Sequence, residues 1–302
     1  MQLELSEGEF SVRLQNLERH LYDDIEAENW SRLKLYKVPQ QALWNEKNPD
    51  DYDAPHFQFG RRAHMLVLEE KLFHETYICE PAWSHGGGHL KMVKGKTTKD
   101  EGGQNRIEKE VWDIDFKDYQ KIDKDEWKQL QDMRTVLLED PVTSSILNYP
   151  DSMREITCMS VMADDTRTKS LFDIVLDIDE AEAQKMFRRS DVEGGIWIGA
   201  YKTARDASPD KFKWAVRDFN YVGQAAFYFD AYARCTGTEP AGFFFFAQSK
   251  SGGYTPCVYL VTPEQIERGR ADYERLLKVK RECKKTGVYQ GFAKTALYLG
   301  DF

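Results

Sequence analysis

At 302 residues the chain can bury a substantial core, and one large domain with a smaller appendage fits that length better than two equal ones. Hydrophobic residues make up 41% and charged residues 31%, an ordinary globular balance; a net charge of −9 excludes a surface that coats nucleic acid through basic residues on every side. It leaves room for a basic channel on one face.

The longest apolar run, Gly242 to Ala247, is too short to cross a bilayer, so no membrane association is expected. Five scattered cysteines without a CxxC pair exclude a zinc knuckle or iron–sulfur cluster and suit reduced, mostly buried thiols. The opening MQLELSEGEF lacks a basic stretch followed by an apolar run, which points to a cytoplasmic setting.

The residues up to Pro55 read as helical. Phe10, Leu14, Leu17 and Leu21 form one apolar stripe, and a second helix starts near Asn29 or Ser31 and carries Leu33, Leu35 and Tyr36 before Pro39. NPDDYDAP, from Asn48 to Pro55, is an acidic, turn-rich linker, so the expected division is a helical arm over 1–55 and a main domain over 56–302. A helix from Phe57 presents Phe59, Ala63, Leu66 and Val67 on one face. His85 to Gly103 reads as a Gly- and Lys-rich loop; its Gly95-Lys96-Thr97 has Leu90 where a phosphate loop needs glycine, and His85 and His89 read as loop residues rather than ligands. A further helix runs from about Lys124 to Leu138.

From Met153 the period becomes that of strands: REITCMSVMADD, SLFDIVLDID and GGIWIGAYKT, joined by short turns. Helix follows from Ser208 or Pro209 to about Tyr232, with serine as cap and proline at the first position. Two more strands, GFFFFAQS and TPCVYLVT, precede an amphipathic helix from Pro263 to about Lys285. This order predicts an α/β domain with a mixed central sheet flanked by helices.

Three pieces can carry chemistry. His64 sits in the helix that begins near Phe57. Asp173, Val175, Asp177 and Asp179 alternate on one strand face, so the buried part of that face must satisfy its charge with a metal or a cation, unless the strand is a wet edge. Lys202 follows Ala200 by two residues and shares its face. Phosphodiester hydrolysis needs a divalent metal on hard ligands, an activated water and a cation near the developing charge, which are the groups such residues supply. Gln224 and Tyr228 share a face of the next helix; they contact a substrate backbone or the lysine, or simply belong to an amphipathic helix.

Together these segments resemble the RecE (exodeoxyribonuclease VIII) nuclease family and its phage and prophage relatives, a branch of the PD-(D/E)xK superfamily close to the RecB-type nucleases. FGRRAHMLVLEEKLF (Phe59 to Phe73) is similar to the family's glycine–histidine helix. KTARDASPDKFKWAVRDFNYVGQAAFYFDAY (Lys202 to Tyr232) resembles its lysine, DASP and Gln-x-x-x-Tyr block, and NWSRLKLYKVPQQALWNEKN and YLVTPEQIERGRADYERLL resemble its first and closing helices. The resemblance covers most of the chain and implies a PD-(D/E)xK core. By it, His64 is the metal-binding histidine, Asp177 the first motif aspartate, Lys202 the motif lysine, Gln224 and Tyr228 the Gln-x-x-x-Tyr pair, and Glu155 a weaker auxiliary acid. Ala200 occupies the position of the second motif acid, which is also a metal ligand in the family.

The resemblance further implies Mg²⁺ (or Mn²⁺) and digestion of linear double-stranded DNA from 5′ ends for phage-type recombination. It implies a single-strand annealing protein as partner and a homo-oligomer, a tetrameric ring with Arg61, Arg62, Lys202 and Arg205 toward the DNA. Two departures stand out: 23 residues separate Asp177 from position 200, where DEAEAQKMFRRSDVEGG looks like an inserted hairpin tip or short helix, and position 200 is alanine. The alanine predicts strongly reduced cleavage. It has two readings: a substituted catalytic aspartate of the kind that traps a nuclease on uncut DNA, favoured by the other intact positions, or natural loss of cleavage that leaves a non-catalytic DNA-end or protein-binding module.

Overall fold

The strand-period segments assemble into one sheet. The computed structural model describes residues 12–15, 17–48, 55–81, 98–99, 105–106 and 109–292. Its main sheet has six strands in chain order: β1 (Val12–Gln15), β2 (Met153–Val161), β3 (Arg167–Ile178), β4 (Gly195–Ala204), β5 (Gly242–Ser249) and β6 (Pro256–Val261). Every neighbouring pair is antiparallel except β4 and β5, which are parallel and therefore need a crossover. The main helices are α1 (Pro55–Leu68), α2 (Lys124–Glu139), α3 (Glu180–Phe187), α4 (Pro209–Asp218), α5 (Tyr221–Thr236) and α6 (Pro263–Thr286). The crossover is α4 and α5.

The two faces of the sheet bury separate cores. Ile198, Ala200, Phe243 and Phe245 pack with α5 and α6, together with Trp30, Leu33, Tyr36 and Ala42 from the first part of the chain. Trp197, Tyr201, Phe244 and Phe246 pack on the opposite side with α1, α2 and α3. Burial on both faces explains why GFFFFAQS is a continuous apolar run rather than an alternating one.

Three expectations change in detail. The stripe that begins at Phe10 is not one helix: Val12–Gln15 is a strand, helix covers only Arg19–Asp24, and Phe10 itself lies outside the described residues. Pairing with β2, which otherwise presents an open edge, overrides the helical spacing. The predicted helix over 208–232 is two helices, because Asn220 takes a left-handed φ of 51° and its side chain accepts from the Gly223 amide, ending one helix and capping the next. The insertion after Asp177 is α3, closed by a reciprocal capping box of Asp179 and Glu182. His85, His89 and Gly95-Lys96-Thr97 lie outside the described residues.

One feature of the sheet positions the site. β3 and β4 stay paired up to Ile174 and Gly199 and then part. Only glycine fits at that last rung, since a Cβ on residue 199 would lie 2.3 Å from a Phe244 ring carbon and 2.6 Å from Ile174 Cγ2. Beyond it β4 stays with β5, while the freed edge of β3 is taken by Glu28, whose amide donates to the Arg167 carbonyl and whose carbonyl accepts from Lys169, both at 2.8 Å. The Glu28 carboxylate reaches Lys280 on α6 at 2.5 Å. At the fork the side-chain alternation of β3 also breaks: Phe172 and Val175, three apart, face the same core. Across from it on β2, Glu155 has a φ of 49°.

Candidate metal centre

Asp173 stands at the fork. Its register neighbours are Glu155, between the rungs Arg154 to Ile174 and Ile156 to Phe172, and Ala200, one step beyond the rung Ile174 to Gly199. Beyond the end of the β3–β4 ladder, the Tyr201 amide of β4 donates to Asp173 Oδ2 at 2.7 Å, so the carboxylate replaces a missing backbone acceptor. α1 crosses this point close to β4, with residue 60 beside Thr203, and lowers His64 into the gap. His64 Nε2 lies 2.9 Å from Asp173 Oδ2 and Nδ1 3.6 Å from Glu155 Oε1. One donor atom from each of His64, Glu155 and Asp173 falls within 4.8 Å of the others.

Electrostatics bind this trio tightly. Burial disfavours the His64 imidazolium, but the charge and hydrogen bond of Asp173, helped by Glu155, lift its pKa to about 9. Burial alone would raise Asp173; His64 and Lys202 outweigh it and hold the carboxyl below its ordinary value. Glu155 goes up to about 7, because burial and the nearby Asp173 charge outweigh the attraction of His64. Among the described residues the buried Glu155 Oε1 has no hydrogen-bond partner. A buried carboxylate oxygen without a donor, beside a second carboxylate and an imidazole, is a donor set that fits a hard divalent cation.

Around the trio, burial lowers the Lys202 pKa against the pull of Asp173, and its ammonium lies over the rings of Tyr221 and Phe245 at 5.4 and 5.9 Å. Lys34 is lowered by burial and by the charge of Lys202, so the first part of the chain brings a second cation near the site. Tyr228 packs on Phe172 at 5.2 Å between ring centroids; burial and the Asp173 charge raise its pKa, and the neighbouring Gln224 amide acts in the opposite direction. His64, Lys202 and Tyr228, with Gln224 beside it, therefore lie together around Asp173.

Other expected members do not. Asp177 is exposed, pairs with Ile196, and its carbonyl accepts from the Tyr149 hydroxyl at 3.1 Å. The aspartate beside His64 is Asp173, four residues earlier. Ala200 is fully buried against the α5 core and offers no ligand atom. Arg62 is committed to Glu126 at 2.7 and 2.9 Å, while Arg61 and Arg205 are exposed. A signal for Asp173 was present: it lies between Phe172 and Ile174 in mid-strand, where a carboxylate is costly to bury, whereas Asp177 is near the polar end. Glu155, expected by resemblance as a weaker auxiliary acid, carries no comparable local signal, because its place depends on strand register.

No family model matches the chain, and no curated protein matches it. Among solved structures it is similar to a protein from Eubacterium rectale, provisionally named an exonuclease and crystallised at 2.19 Å, with a TM-score of 0.50 and 14% identity over 95% of this chain and 98% of that one. What the two share is the fold, a nuclease-like mixed α/β sheet flanked by helices. Among the described residues no helix is long and apolar enough to cross a membrane.

Proposed function

We propose that the chain is a metal-dependent nuclease of the PD-(D/E)xK kind, acting as a RecE-type exonuclease on linear double-stranded DNA. The observation that carries this reading is the convergence of His64, Glu155 and Asp173 donor atoms within 4.8 Å beside Lys202. These three residues would hold the ion, Mg²⁺ or Mn²⁺. Such an ion supplies Lewis-acid polarisation of a phosphoryl oxygen and a more acidic water at neutral pH. Glu155, on the strand flanking Asp173 on one side, supplies the carboxylate that Ala200, on the strand flanking it on the other, lacks. Lys202 and Lys34 place positive charge where a scissile phosphate gathers negative charge, and Tyr228, next to Gln224 one turn earlier on α5, walls the pocket on that side. The resemblance to RecE nucleases supports 5′ ends, an annealing partner and a ring-shaped oligomer as the finer part of the reading.

The experiment is degradation of linear duplex with Mg²⁺ or Mn²⁺, run on the parent chain, Glu155→Ala and Asp173→Ala. Digestion by the parent that both variants lose supports the proposal; digestion that survives both overturns it. Ala200 favours a second reading, a DNA-end-binding protein without cleavage. It predicts an inactive parent that binds DNA ends, and it is the reading of choice if Ala200→Asp also fails to digest duplex.

A further inference from the structure

Between α4, β6 and α6 lies a groove of about 910 Å³. Its floor is apolar: Tyr259 and Val261 are partly exposed there, backed by the buried rings of Phe212 and Phe245. Its rim carries Lys37, Lys213, Arg217, Arg268 and Arg275 against three carboxylates, Asp272 in the lining and Asp210 and Asp218 beside it, an excess of two positive charges. On a chain of net charge −9 this is a local inversion of sign. Three of the cations sit in exposed pairs, Lys213 with Asp210 and Arg217 with Asp218 at 3.3 Å and Arg275 with Asp272 at 2.7 Å. Exposed pairs of this kind are worth little and exchange readily for a phosphate.

A run of aromatic rings joins this groove to the candidate metal centre. Lys202 lies over Tyr221 and Phe245. Tyr221 stacks on Phe245 at 5.2 Å and 28°, and on Phe219 at 5.7 Å and 24°. Phe245 belongs to the groove floor, and Phe219 is 50% exposed. Trp214 on α4 is 49% exposed, with the Arg217 guanidinium 4.5 Å from its ring centre.

Building on the nuclease reading above, we propose that this groove binds a single-stranded nucleic-acid segment continuous with the strand at the metal centre, its phosphates on the basic rim and its bases against the apolar floor and Phe219. Base faces are free to meet an apolar floor only when they are unpaired; a duplex presents phosphates and sugars outward. A cleft of this size lies at the upper end of the roughly 300–1,000 Å³ range of small-ligand sites and takes a few nucleotides. Basic grooves lined with aromatic rings bind single strands with little sequence preference.

The test is fluorescence anisotropy of the full chain with a labelled oligothymidine of about 20 nucleotides, long enough to cover one site. A blunt duplex and an oligoglutamate peptide serve as competitors in EDTA, over a salt series. The oligothymidine is expected to bind more tightly than the duplex. Arg217→Glu with Arg268→Glu should weaken it at least tenfold and reduce the slope of log affinity against log salt by about 1.4, two phosphates at ~0.7 each. Phe219→Ala should weaken it about tenfold and leave the slope unchanged. Unaltered circular dichroism and melting show that the variants fold. Unchanged affinity in both variants, preference for duplex, or displacement by the peptide better than by unlabelled oligonucleotide each overturns the proposal. Single-strand binding lost in the groove variants but kept in Asp173→Asn supports it even if no chain cleaves DNA, which would sink the nuclease reading alone.

Discussion

Asp173 and Asp177 lie on one strand, four residues apart, yet they inhabit different chemistry. Asp177 is within the ladder, still paired with Ile196, and turns a solvated carboxylate outward. Asp173 is where the ladder ends, buried against His64 with the Tyr201 amide on its oxygen. The difference shows that the break in strand pairing, rather than the spacing of acids along the sequence, decides which carboxylate is drawn into the buried cluster. Where two strands part, backbone donors and side-chain charges must find one another, and a cation can join them.

The largest effect expected from this contrast is on catalysis. Asp173→Asn should lower metal-dependent cleavage by about 10²–10³-fold, the scale of losing a key electrostatic group, while Asp177→Asn changes it less than about twofold. Parallel rate measurements on linear duplex check this; equal losses would erase the distinction between the two aspartates.

Stability against pH gives the next effect. The His64 pKa rises from 6.5 to about 9 on folding, so its contribution is fully present below pH 6.5 and is lost as pH climbs through 9. Glu155, raised from 4.5 to about 7, acts in the same direction over the lower window. Metal-free protein should therefore lose roughly 2 kcal/mol between pH 6.5 and 9, read by urea unfolding, and excess Mn²⁺ should flatten the curve by taking the proton's place. Asp177→Asn should leave the curve as it is.

Restoring the acid beside Asp173 sharpens the comparison from the other strand. Ala200→Asp should raise metal affinity by roughly tenfold, measured by calorimetry, the scale of changes in a metal's surroundings. Its metal-free form should melt below the parent, because the new carboxylate enters a fully buried position beside Phe245. The smallest effect belongs to Arg62. Arg62→Ala should cost about 1 kcal/mol through loss of the Glu126 pair and leave the salt dependence of DNA-end binding unchanged. A lower salt slope would return Arg62 to the DNA surface.

Much of this was legible in the chain. The mixed sheet follows from REITCMSV, SLFDIVLDI and GFFFFAQS, and the helix start at Ser208-Pro209 falls where local pattern put it, while His64, Lys202 and Tyr228 surround Asp173. Asp173 was overshadowed because alternation treats Asp173, Asp177 and Asp179 alike, and nothing local says where β4 leaves β3. Glu155 and Lys34 enter through register and through the packing of residues 17–48, which are relations between distant segments. The strand at Val12 escaped for the same reason, its partner being more than a hundred residues away.

Glu28 carries a consequence for how the molecule is made. Its backbone closes the freed edge of β3 near residue 168 while its carboxylate grips Lys280 on the last helix. The fork that shapes the candidate metal centre is thus sealed by contacts spanning most of the chain's length, which form late because wide loops must close first. A nascent chain can complete the β2–β3 hairpin long before this seal exists. The pocket should be the last part to harden, and refolding followed by metal uptake should lag behind refolding followed by the burial of tryptophan.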